Sequence, residues 1–204
     1  MLRKARLILI LIAISVFWTV PSGSADDAPG QILGGSADSP IKIEVFSDFQ
    51  CSACREFYLN TIRQVLKEYS SKDKVCVIYH EFPLTMHRYS REAARYSEAA
   101  AQLGTQKLLA VMDSLFTDQA LWSQDGKVEA SVSRALSHED MLKVKKIMQD
   151  PSIDLAVDKE IQLGIKSEIK STPTMFISYI GKKQKVEGLV TYLVMKQFID
   201  SIVK

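Results

Sequence analysis

Hydrophobic positions along the chain recur first with a period of two and then with a period near 3.6. Ile41, Ile43 and Val45 alternate with Lys42 and Glu44 as far as Phe46, the pattern of a strand with one face in the core. Beyond Cys54, the residues Tyr58, Ile62, Val65, Leu66 and Tyr69 recur at helical spacing. Val75 to Phe82 is rich in β-branched and aromatic residues and predicts a second strand, closed by Pro83. From about Thr85 to Lys170 the stripes are helical. Tyr89, Ala93, Tyr96, Ala100 and Leu103 form one face, with Gly104 as its stop, and Leu108, Leu109, Met112, Leu115 and Phe116 form another. Ser137 and Asp140 read as a capping pair ahead of Met141, Val144, Ile147 and Met148. Asp150-Pro151 reads as an N-cap acid followed by proline at the first helical position. Strand pattern returns over Thr174 to Tyr179, with Gly181-Lys182-Lys183 as a hairpin turn and Lys185-Val186-Glu187 as the partner strand. Leu193, Met195, Phe198, Ile199 and Ile202 mark a last helix. The order is βαβ, a helical block, then ββα, which is an α/β arrangement whose apolar stripes are core.

The N-terminal segment stands outside this pattern. Met1 to Arg6 is basic, Leu7 to Val20 is an apolar run of 14 residues, and Pro21 breaks it. Small residues Gly23-Ser24-Ala25 follow, then Asp26 and Asp27. That is the layout of a secretory signal over residues 1–25, with cleavage after Ala25. The run is shorter than the roughly 20 apolar residues a membrane-spanning helix uses; if retained, the segment is an anchor. Both readings put the body outside the cytoplasm, in the periplasm or its equivalent. Residues 26–40, rich in Gly, Ser, Asp and Pro, read as a linker.

Composition narrows the class. A chain of 204 residues, 47% hydrophobic and 25% charged, has room for one elaborated domain with an adequate core. The net charge of +2 resides in Arg3, Lys4 and Arg6; the rest carries 23 basic against 24 acidic residues. A near-neutral body offers no electrostatic footprint for nucleic acid. Three cysteines leave one thiol over in any internal pairing, and a domain of this size has no need of a staple.

The chemistry therefore centres on Cys51-Ser52-Ala53-Cys54. A strand and tight turn place Cys51 at the start of a helix, where free N–H groups and the helix dipole favour thiolate. Cys51 is the expected nucleophile, and Cys54, three residues on and less exposed, the resolving thiol. Such exchange needs no cofactor. The rival reading is a zinc-binding or chaperone-like module, since Cys76 and His80 complete a Cys3His set on paper. Against it, Cys76 reads as a buried inert thiol in mid-strand and His80 as a hydrogen-bonded histidine. His87 and His138 read as surface or capping residues, and Trp122 as a core anchor. A second motif, Ser171-Thr172-Pro173-Thr174, precedes the apolar Met175-Phe176-Ile177. Residue statistics alone make its proline trans.

Together these segments carry a resemblance. Phe46-Ser47-Asp48-Phe49-Gln50-Cys51-Ser52-Ala53-Cys54 resembles the active-site segment of DsbA-type thiol:disulfide oxidoreductases. Phe82-Pro83-Leu84 resembles their post-strand turn, and Thr172 to Ile177 is similar to their cis-proline strand. The resemblance runs from Ile41 to Lys204 and implies a thioredoxin-like fold, residues 41–84 with 171–204, with an inserted helical domain over 85–170. It implies that Cys51 and Cys54 form a redox-active pair, that Pro173 is cis and faces it, and that the Thr172 backbone binds substrate. Substrates would be cysteine-containing, unfolded exported proteins, and a quinone-linked membrane protein would be the redox partner. Two departures stand out. The buried acid that many relatives keep six positions before the first cysteine is Val45 in this chain, leaving Asp48, Glu56 or water to handle protons. The dipeptide between the cysteines is Ser52-Ala53, without a histidine, which predicts a less oxidising couple than the strongest members.

Overall fold

A computed structural model describes residues 30–203. The proposed signal segment, residues 1–25, lies outside the described residues. Five strands form one mixed sheet in the order β1 (Gln31–Gly34), β3 (Val75–Glu81), β2 (Ile41–Ser47), β4 (Thr174–Tyr179), β5 (Lys182–Glu187). Only β2 and β3 run parallel; the other neighbours are antiparallel. Between β2 and β3 lie α1 (Ser52–Phe57), a π-helical turn (Tyr58–Ile62) and α2 (Arg63–Glu68). Six helices separate β3 from β4: α3 (Ser90–Ala101), α4 (Thr105–Thr117), α5 (Gln119–Asp125), α6 (Val128–Ala135), α7 (His138–Ile147) and α8 (Pro151–Lys166). The chain ends on α9 (Tyr192–Ile202). This is a thioredoxin-like fold with a helical insertion.

The period-two pattern in β2 divides the sheet into two faces. Ile41, Ile43 and Val45 join Val75, Val77 and Tyr79 in the main core. Phe46, on the other face, packs with Phe82 and Ile169 in a smaller cluster with residues of α8. The helical stops follow local chemistry. Ser137 Oγ accepts from the Asp140 amide at 3.1 Å, and Asp150 Oδ1 from the Ser152 amide at 2.8 Å with Pro151 after it. Trp122 is buried and donates its indole N–H to the Leu115 carbonyl at 2.7 Å, as a core anchor should.

Two expectations are corrected. Residues 31–34, placed in the linker by composition, form β1 and pair with β3. The pairing depends on only two apolar residues, Ile32 and Leu33, and on a bulge. Ile32 faces Ile78 and Gly34 faces Val77, so Leu33 is the extra residue, and it is 2% exposed in the core. Gly35 then lets the chain turn off the sheet: its φ is +78°, and a Cβ there would lie 2.1 Å from the Val75 carbonyl oxygen. The hairpin turn also sits one residue earlier than expected. Ile180 and Gly181 occupy the left-handed region, and Lys182 and Lys183 already belong to β5.

Candidate active site

Cys51 is the N-cap residue of α1. Its φ and ψ are extended, and its carbonyl accepts the Arg55 amide at 3.1 Å. A side chain at this position faces the unpaired amides of the first turn, where serine or aspartate usually caps. The sulfur makes no capping hydrogen bond, but it lies in the field of those amides, and the N–H groups of Cys54 and Ala53 favour its thiolate. Cys54 is 1% exposed beneath it, and the two residues approach to 3.5 Å. Both are free thiols.

The pair is electrically unequal. The hydrogen bond from the Cys54 thiol, reinforced by the Thr172 side chain and the two amides, lowers Cys51 to about 5 against the opposing effect of burial. Burial, and then the neighbouring Cys51, push Cys54 well above the ordinary thiol range. The arrangement presents an accessible thiolate over a buried neutral thiol, the asymmetry needed for attack followed by resolution.

The second motif closes over the first. Cys51 Sγ lies 3.4 Å from the Thr172 carbonyl oxygen, although 121 residues separate them. The Thr172–Pro173 peptide bond is cis. Pro173 accepts the Gly188 amide at 2.8 Å, tying the motif to the end of β5.

Asp48, which the sequence offers as a possible proton carrier, and two glutamines that sequence reading did not assign hold the active-site loop. The Asp48 carboxylate is buried and accepts from the amides of Gln50 and Leu84, both at 2.7 Å, and from the Ser90 hydroxyl; His87 Nδ1 lies 2.8 Å away. These four partners make Asp48 a structural hub that joins the active-site loop to the turn after β3 and the start of α3. Glu56 is exposed and bonded to Asn60. Gln119, from α5, donates to the carbonyls of Phe49 at 2.6 Å and Cys51 at 3.0 Å. Gln50 answers in the other direction, accepting the Tyr89 amide at 2.9 Å and donating to the Ser123 carbonyl at 3.3 Å. Only Asp48 carried a local signal, as an Asx turn preceding a helix; the glutamines act over contacts that no short-range pattern reveals.

The four zinc candidates are not brought together. Cys76 and His80 lie on the sheet face opposite Cys54, alongside Lys42 and Phe46. Cys76 is buried, and burial raises its thiol. His80 Nδ1 is engaged by Glu160 at 2.6 Å. Burial opposes protonation of His80, but Glu160 and Glu44 together outweigh it and raise its affinity for a proton, which competes with any metal for the ring nitrogens. Among the described residues no group of His, Cys, Asp and Glu is arranged to hold a metal ion.

An acidic thiol at a helix start, a buried partner and an opposing proline segment define a dithiol centre on a thioredoxin-like scaffold. The family model described as Thioredoxin matches residues 27–201, and the chain belongs to that family. Its relatives lie among the DsbA-like proteins. Probable disulfide bond formation protein D of Bacillus cereus is 24% identical over 148 residues, covering 71% of this chain and 68% of that one. Oxidised BdbD of Bacillus subtilis is similar in structure, with a TM-score of 0.68 and 19% identity, over 84% of this chain and 91% of that one. The alpha-DsbA1 of Wolbachia pipientis gives a TM-score of 0.66 at 19% identity, over 85% and 90%.

Proposed function

We propose that the protein is an extracytoplasmic thiol:disulfide oxidoreductase that forms or exchanges disulfides in exported proteins through Cys51 and Cys54. The unequal acidity of two thiols 3.5 Å apart carries this reading. In the oxidising direction a substrate thiolate attacks Cys51 Sγ and Cys54 leaves. A second substrate thiol then attacks the mixed disulfide and releases Cys51 as the stable thiolate. Thr172 offers its backbone to an extended substrate segment, a form of strand addition. Pro173 has no N–H to compete for it. Residues 41–84 and 171–204 supply the catalytic domain, and 85–170 the inserted helices that border the substrate surface.

Turnover as an oxidant requires a partner that removes two electrons, and a quinone-linked membrane protein has the chemistry to do so. The basic, apolar and small-residue sequence of residues 1–25 supports export. Among the described residues no helix is long and apolar enough to cross a membrane. A Cys51 thiol titrating at about 5 supports an intermediate oxidant, because the corresponding thiol has a pKa of about 7 in thioredoxin and about 3.5 in DsbA.

The test is substitution. Cys51→Ala abolishes oxidation of a dithiol peptide, whereas Cys76→Ala leaves it essentially intact. Activity surviving the first change, or stoichiometric zinc masking the thiols of the purified protein, would refute the assignment.

A further inference from the structure

Glu81 is the last residue of β3 and is 1% exposed. Neither of its carboxyl oxygens has a hydrogen-bond partner among the described residues. An ionised carboxylate so placed would lose its hydration without replacement, so the group is held as the neutral acid. The surroundings act the same way. Burial first, and then the charges of Glu98 on α3, Glu160 on α8 and Asp48 beyond β2, push Glu81 well above the ordinary carboxylate range, with the Ser97 side chain alone opposing. A buried acid without a partner costs stability, and a catalytic role is one reason such a group is kept.

The register of the sheet shows where that proton can go. Glu81 sits opposite Ser47, and Tyr79 opposite Val45, across the parallel β2–β3 pair. All four share the sheet face against which Cys54 packs. The Ser47 side chain acts on the Cys54 sulfur and on the Tyr79 phenol. Tyr79 lies within the fields of both Glu81 and Cys54, and its hydroxyl is buried without a partner. Val45 carries no proton, and Asp48 is fully engaged by four groups.

We propose that Glu81 is the proton store of the dithiol centre, acting on Cys54 through the hydroxyls of Ser47 and Tyr79 when the disulfide opens. The proposal rests on the oxidoreductase reading. A substrate thiolate attacks Cys51 Sγ, the S–S bond breaks, and its electron pair moves to Cys54 Sγ. The buried Cys54 anion takes a proton relayed from Glu81, which becomes a carboxylate. The second substrate thiol loses its proton to solvent and attacks the mixed disulfide as thiolate, and Glu81 regains a proton from solvent. The substrate is oxidised by two electrons, Cys51 leaves as thiolate, Cys54 remains a thiol, and Glu81 is neutral again. Donor and acceptor are matched because the same burial raises both.

The experiment compares the oxidised wild-type protein with Glu81→Gln and Tyr79→Phe, each mixed with a dithiol peptide from pH 5 to 9. Glutamine keeps the shape of the side chain but has no proton to give. Glu81→Gln is expected to open the disulfide about a hundredfold more slowly at neutral pH and to lose the fall in rate that the wild type shows as Glu81 ionises. Infrared spectra followed through the opening of the disulfide are expected to show transient loss of a carboxylic C=O band in the wild type that Glu81→Gln lacks. A uniform slowing with an unchanged pH profile, or wild-type spectra without that transient loss, would overturn the proposal. If Glu81→Gln does not fold, the wild-type spectrum and the Tyr79→Phe profile decide it. A wild-type protein unable to exchange thiols would instead sink the functional reading itself.

Discussion

At the scale of single residues, Cys51 combines two roles that are usually separate. It occupies the N-cap position of α1, where its backbone starts the helix, and it carries the reactive sulfur of the site. The amides that need an acceptor are thereby the amides that stabilise the thiolate. The measurable consequence is a low titration midpoint. The rate of alkylation of the reduced protein should rise through an inflection at about pH 5, set by Cys51, rather than near 9.0 as for an ordinary thiol. An inflection close to the ordinary value would show that the cap geometry does not act on the sulfur. Much of this was legible beforehand, because strand, turn and CxxC are all local patterns. The partners of Asp48 and the roles of Gln119 and Glu81 were not. Each draws its role from partners on other elements, and a buried acid looks the same in sequence as an exposed one.

Elements show a similar division. Strands β2, β3 and β4 were readable because their apolar residues are dense and their faces alternate. The edge strand β1 was not, since its pairing rests on two apolar residues and a bulge set by the neighbouring strand. The β4–β5 turn was displaced for a comparable reason: glycine marked it correctly, but the first left-handed residue is Ile180, a β-branched side chain rarely found there. Its φ is +45° and its side chain is 76% exposed, so little packing opposes a change. Ile180→Asn creates the Asn-Gly pair that two-residue hairpins prefer. It should raise stability by about 1 kcal/mol, read as a higher urea midpoint at constant slope.

For the whole molecule, the acidity of Cys51 becomes a difference in stability between redox states. Its pKa falls from 9.0 unfolded to about 5 folded, a depressed acid, so its stabilising effect is complete above pH 9 and is lost as pH falls through 5. The disulfide form has no such group to ionise. The stability of the reduced protein relative to the oxidised one should therefore increase steadily between pH 5 and pH 9, as measured by parallel denaturant titrations. A difference that does not change with pH would contradict it.

The two glutamines joining the active-site loop to the inserted helices bear on how such a protein can change. Gln119 reaches in from α5 to the carbonyls of Phe49 and Cys51, and Gln50 reaches out to Ser123 and Tyr89. The insertion is thus part of the frame that holds the reactive loop. A chimera with its helices exchanged for those of a relative would inherit an altered thiol even though every residue from Cys51 to Cys54 stayed the same.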